Sequence, residues 1–187
     1  GLKNGKGKEY DNWRDIRYEG EFLNGKKNGK GKEFFKRASL DYHYEEKHEP
    51  YLFFDGEYFN NYKVKGKEYY KNGKLKFEGE YLFKEKWSGK IYDYKGNILF
   101  ELNNGNGIVD EYNDKIRLYI GENLKEKNLR EKVKGREYDY NGRLLFEGEF
   151  LNKNKWNGKI KDYYKDELIF EGEYLDGKIW NGKGKEI

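Results

Sequence analysis

The chain has 187 residues, of which 40% are charged, 35% hydrophobic and 19% aromatic, with a formal net charge of +4. So many charges leave too little apolar material for a conventional globular core in one domain of this size, and no apolar run approaches the length of a membrane span. Cysteine and threonine are absent and Ser39 and Ser88 are the only serines, which excludes a disulfide framework and leaves little with which to build a nucleophilic active site.

Taken in order, residues 4–10 read NGKGKEY, the second half of a unit whose complete form follows as YEGEF (18–22) and NGKGKEF (28–34). After an insertion at 36–50 come FDGEY (54–58) with VKGKEYY (64–70), then FEGEY (77–81) with WSGKIYDY (87–94). A lapsed copy is centred on Leu102. The next unit has its glycine at Gly121, is stretched by ENLKEKNLREK (122–132) and closes with VKGREYDY (133–140). FEGEF (146–150) with WNGKIKDY (156–163) and FEGEY (170–174) with WNGKGKEI (180–187) complete the series. Self-similarity at a step of 23 or 24 residues marks a tandem array. Its units fall near 1–15, 16–51, 52–74, 75–97, 98–116 (degenerate), 117–143, 144–167 and 168–187, as one array over 1–187.

Asn72-Gly73, Gly96-Asn97 and Asn141-Gly142 are turn dipeptides that tolerate positive φ, so each unit reads as strand, turn, strand, turn. Alternation with period 2 places Leu75, Phe77, Gly79 and Tyr81 on one face and Lys76, Glu78 and Glu80 on the other. Glycine weakens a strand, so its return at Gly20, Gly56, Gly79, Gly121, Gly148 and Gly172 needs a structural cause. An aromatic ring from a neighbouring hairpin, laid over each glycine, supplies one. The predicted fold is all-β: an elongated open solenoid of antiparallel hairpins, with a core one side chain thick and no closed barrel. About fifteen strands at roughly 4.8 Å each would give a rod on the order of 70 Å long.

Residues 18–34 (YEGEFLNGKKNGKGKEF) resemble a MORN repeat, the membrane occupation and recognition nexus unit, and residues 170–187 resemble it nearly as well. The resemblance covers most of the chain. Gly66, Gly89, Gly135 and Gly158 depart from the Gly-x-Gly pattern, having Glu68, Ile91, Glu137 and Ile160 where a second glycine would stand, as in the shorter, divergent bacterial and protist variants. The resemblance implies a single-layer twisted sheet that serves as a scaffold in cytoskeletal, cortical or membrane-junction assemblies. It also implies pairing of two copies through terminal repeats and, for some members, binding of lipid headgroups.

The residues themselves point away from catalysis and cofactors. Paired carboxylates recur in every unit instead of forming one distinctive acid–base site, and NGKGKEF lacks the spacing of a phosphate-binding loop. Acidic and basic residues are interleaved, Glu19 and Glu21 lying near Lys30 and Lys32, which is not a nucleic-acid footprint and gives a lipid surface no basic cluster. His43 and His48, five residues apart, are too poorly spaced for a metal site. Binding of a protein or peptide along a groove remains, with Trp87, Trp156 and Trp180, each two residues before a glycine, and Tyr81, Phe150 and Tyr174 as its candidate lining. A carbohydrate-binding hairpin module is the alternative from another class, and an antitoxin-like bacterial module follows only from the divergent repeats. No secretory signal opens the chain, which favours the cytoplasm. The chain begins and ends inside a unit, which predicts a fragment or processed product.

Overall fold

The computed structural model describes residues 1–36, 49–112, 115–120, 131–139 and 141–185. Gly121, Ser39, both histidines and most of the 36–50 and 122–132 segments lie outside the described residues. Among the described residues the chain is all-β, with fifteen strands, every pairing whose register is resolved antiparallel, and no closed barrel.

The strands pair in two ladders where the sequence predicts one. The first contains β1 (Gly5–Tyr10), β2 (Ile16–Leu23), β3 (Lys26–Phe35), β4 (Tyr51–Phe59), β5 (Tyr62–Tyr69), β6 (Leu75–Leu82), β7 (Glu85–Tyr92) and β8 (Ile98–Leu102), each beside the next. The second contains β9 (Gly107–Tyr112), β10 (Lys115–Ile120), β11 (Val133–Asp139), β12 (Leu144–Leu151), β13 (Asn154–Tyr164), β14 (Glu167–Leu175) and β15 (Lys178–Gly184), again in chain order. The compact units are Gly1–Glu101 and Leu102–Ile187. The first ladder stops at the lapsed copy, where buried Leu102 stands at the glycine position.

Glycines face glycines across the first ladder: Gly7, Gly20, Gly31, Gly56, Gly66, Gly79 and Gly89 form an unbroken row through seven strands. The covering ring comes chiefly from the glycines' own hairpin, two residues before the first glycine of the facing pair, and not from a neighbouring hairpin. Phe77 lies against Gly79 and its partner Gly89, Phe54 against Gly56 and Gly66, and Tyr18 against Gly20 and Gly31. The geometry favours this source because side chains at i and i+2 share a face, so a ring can fold along its own strand onto the bare backbone. Gly7 and Gly135 do take their cover from the next hairpin, from Phe22 and Phe150. In the second ladder Gly135, Gly148 and Gly158 align, but β14 is offset so that Gly158 meets Tyr174 and Gly172 meets Ile160. Here β13 and β14 are joined tightly through Lys165 and Asp166, both at positive φ, instead of by the longer turn found between β5 and β6.

The rings touch one another edge to face. In the first unit Phe22, Tyr18, Tyr58, Phe54, Tyr81 and Phe77 form a zigzag with successive centroids 5.2–5.8 Å apart. The second aromatic of each unit abuts the first aromatic of the unit before, as Tyr58 does Tyr18 and Tyr81 does Phe54. Tyr119, Phe150, Phe146 and Tyr174 repeat the arrangement in the second unit. Such pairs add roughly 0.5–1.5 kcal/mol each beyond the area they bury.

Charged residues also occupy this ring face, contrary to a simple apolar-in, polar-out alternation. Lys27, Lys63 and Lys86 lie over the rings of Tyr18, Phe54 and Phe77 at 4.4, 4.3 and 5.4 Å. They join Glu9, Glu33 and Glu68 in one alternating row: Lys27–Glu33 at 2.9 Å, Glu33–Lys63 at 3.3 Å, Lys63–Glu68 at 3.8 Å and Glu68–Lys86 at 2.9 Å. Ile91, at the register of Glu68, ends the row. In the second unit fully buried Glu137 takes Arg117 at 2.7 Å, Lys155 at 2.9 Å and Lys115 at 3.7 Å. Burial pushes the Glu68 carboxyl up, but Lys86 and Lys63 outweigh it and hold the group below its usual value of 4.5. Glu33 is likewise held low, burial being overcome by Lys63 and Lys27.

Two outcomes follow. The Cβ of Gly79→Ala would sit 2.1 Å from the Ser88 carbonyl and 2.7 Å from the Gly89 Cα, backbone that cannot step aside. Urea denaturation should show a loss of about 1–3 kcal/mol. Gly7→Ala meets only the Phe22 ring, at 3.3 Å, and should cost under about 1 kcal/mol. Because Glu33 and Glu68 are depressed in the fold, their stabilisation is full above the unfolded value of 4.5 and disappears as pH falls through their lower folded values. The urea midpoint should therefore drop in that acid range, and Glu68→Gln should flatten the drop while lowering stability at neutral pH.

Candidate binding surface

The candidate aromatics do not form one surface. Tyr81 and Phe150 are buried in the ring zigzags, and Tyr174 is half-buried against Phe146. Trp87 and Trp156 are half-buried, whereas Trp180 is 70% exposed. The shared register of the tryptophans has a different cause: each is the extra residue of a β-bulge. Glu80 pairs with Ser88 and Tyr81 with Lys86, leaving Trp87 unmatched, and Trp156 and Trp180 are left out in the same way. Val64 holds this place in β5. A bulge re-aims the strand, and here it brings the preceding lysine over a ring.

The bulge also corrects the reading of the Gly-x-Gly pattern. Gly31 and Gly66 both pair with Gly56, so Gly66 corresponds to the second glycine of the Gly29-x-Gly31 pair. What the divergent units lack is the first glycine, replaced by Val64, Trp87 and Trp156 at the bulge.

An open cleft of about 790 Å³ lies at the hairpin ends of the first unit. It is lined by Lys26 of the β2–β3 hairpin, by Asn60, Asn61, Tyr62 and Lys63 of the next, by Phe83 and Lys84 of the third, and by Tyr58, Tyr81 and Glu33. Tyr62 is 47% exposed and Phe83 76%. The floor is polar at one point: the hydroxyl of buried Tyr58 lies beside Glu33 and makes no hydrogen bond of normal geometry among the described residues. Burial, and then the Glu33 charge, raises the pKa of this phenol, which stays neutral. Lys63 is engaged by Glu33 and Glu68, whereas Lys26 and Lys84 make no ion pair among the described residues.

Phe83 reaches the cleft at a conformational cost. The corresponding hairpin turns begin with Asn24, Asn60, Asn152 and Asp176 at φ near 50°, residues suited to the left-handed region. Phe83 stands at the same place with φ 60°, and Lys84 N–H donates to the Leu82 carbonyl at 2.9 Å, closing a γ-turn about it. A bulky side chain held there with its ring in solvent is unfavourable by roughly 1–2 kcal/mol. The hairpin ends are otherwise tied together, Gly25 N–H donating to Lys3 O and Asn61 N–H to Lys27 O, both at 2.9 Å.

The opposite face of the sheet carries cross-strand charge pairs. Lysine strands alternate with acidic strands, so that Lys8 faces Glu19, Glu19 faces Lys32, Lys32 faces Asp55, Asp55 faces Lys67, and Lys67 faces Glu78. Lys8–Glu19, Lys32–Asp55 and Lys67–Glu78 close at 3.3, 3.5 and 3.1 Å. Shallow troughs of about 610 and 470 Å³ run over the glycine rows of the two units, with walls of mixed sign. Neither presents a run of one charge.

Phe83→Asn should raise the urea midpoint by the equivalent of roughly 1 kcal/mol, because asparagine tolerates the turn and no buried contact is lost. A fall in stability would show that the ring is a packing element and not a displayed one. No protein-family model matches the sequence, and no curated protein matches it.

Proposed function

We propose that this chain is a non-catalytic scaffold of the MORN-repeat kind, which binds a protein or peptide on the aromatic-lined side of its hairpin array. The observation that carries the reading is the cleft at the hairpin ends of the first unit, where Tyr62 and Phe83 are held in solvent above a ring-lined floor. Phe83 is kept there against backbone preference, and strain of this sort persists when display of the side chain is useful. On the outer face and along the ring face, carboxylates and amines recur in the same cross-strand pairs, Lys8–Glu19, Lys27–Glu33, Lys67–Glu78 and Glu68–Lys86 among them, and not as one acid–base site set apart. The resemblance supplies the setting of the proposal, assemblies of the cytoskeleton or of membrane junctions, with pairing of two copies through terminal repeats as a further feature. No described helix is long and apolar enough to cross a membrane.

The proposal is tested by presenting the immobilised chain to a native extract and to a saccharide array in parallel. Retention of defined proteins, lost on Tyr62→Ala with Phe83→Gly, supports a scaffold. Saturable sugar binding, weakened by the same changes or by Trp87→Ala, would replace it with the carbohydrate reading.

A further inference from the structure

Resting on the scaffold reading, we infer that the cleft at the hairpin ends of the first unit takes an extended acidic peptide, with an apolar side chain seated between Tyr62 and Phe83 and carboxylates on Lys26 and Lys84. The charge inventory decides the sign of the partner. Of the four ionic groups lining the cleft, Glu33 and Lys63 neutralise each other at 3.3 Å. Lys26 and Lys84 remain without ion pairs among the described residues, so the cleft carries a surplus of positive charge that an acidic segment would satisfy.

The spacing decides the form. Lys26 belongs to the first of three successive hairpins and Lys84 to the third. Neighbouring hairpins lie two strands apart, so the two lysines are separated along the ladder by roughly 19 Å, a span that an extended chain covers in about six residues. Midway stand Asn60 and Tyr62, on the middle hairpin. Asn60 makes no hydrogen bond through its side chain among the described residues, and its amide can hold the backbone of a peptide crossing above it. The aromatic pair then receives one apolar anchor.

The same inventory disfavours polyanions. Nucleic acid and anionic lipid surfaces need several clustered cations, and beside the paired Lys63 the cleft offers only Lys26 and Lys84 among the described residues.

The test is fluorescence anisotropy on the whole chain with a labelled synthetic peptide that has one phenylalanine between runs of glutamate. Two controls accompany it, one with lysine in place of glutamate and one with alanine in place of phenylalanine. The glutamate peptide should bind saturably and more weakly as salt rises, the alanine peptide should lose about tenfold in affinity, and the lysine peptide should not bind. Phe83→Gly, which relieves the turn, should also lose about tenfold. The double variant Lys26→Glu, Lys84→Glu should reject the glutamate peptide and gain the lysine peptide, an inversion that unfolding cannot mimic. Equal binding of acidic and basic peptides, or no inversion in the double variant, overturns the inference. A random-peptide display selection separates the levels. Enrichment of neutral or basic sequences that Phe83→Gly still binds sinks the acidic cleft but leaves the scaffold standing. Enrichment of nothing, alongside saturable sugar binding, sinks both.

Discussion

One close approach governs this protein: two strands brought together at paired glycines, with the edge of a ring lying across the bare backbone. At Gly79 and Gly89 a single methyl group would collide with a carbonyl, with the facing Cα and with Phe77 at once. The gap left by two absent side chains is the size of the ring that fills it, so the glycines and the aromatics are one requirement expressed twice. Where the ring arises two residues before the first glycine, as at Tyr18, Phe54 and Phe77, the hairpin makes its own cover, and the second aromatic is spent on its neighbour.

A core of this kind is one ring deep, and what lies above it explains how a chain with 40% charged residues folds. Lysine stems from the bulged strands lie over the rings, their ammonium groups attracted to the π faces and then tied to carboxylates alongside. The charges thus finish the core instead of merely surrounding it. Breaking one partner would strand the other in a poorly solvated row, which is why Glu68 and Glu137 are buried yet well furnished with cations.

The hairpins were legible in the residues because period-2 alternation and turn dipeptides are local signals, and the strands match them closely. The source of the ring was not, because a repeat shows which side chains share a face but not along which strand a ring will fold. Nor was the bulge. Trp87, Trp156 and Trp180 share a register that looks like a binding stripe, and only cross-strand pairing reveals an inserted residue there. Nor was the pairing of buried Glu68 with Lys86, because alternation alone does not tell a polar residue on the ring face from one in solvent. Phe83 could have been found: set beside Asn24, Asn60, Asn152 and Asp176, it is the turn residue whose chemistry does not suit its place. The lapse at Leu102 was visible, but periodicity alone does not say that the strand ladder ends there.

The alternation of sign from strand to strand has an evolutionary consequence. A strand bearing Lys-Gly-Lys finds Glu-Gly-Glu or Asp-Gly-Glu on either flank, so duplicating a whole hairpin inserts two compatible neighbours, whereas duplicating or deleting a single strand would set like beside like along the entire seam. Copy number can therefore drift by complete units while odd-numbered errors are rejected at once. An array built on that rule can change its length over generations without renegotiating its chemistry.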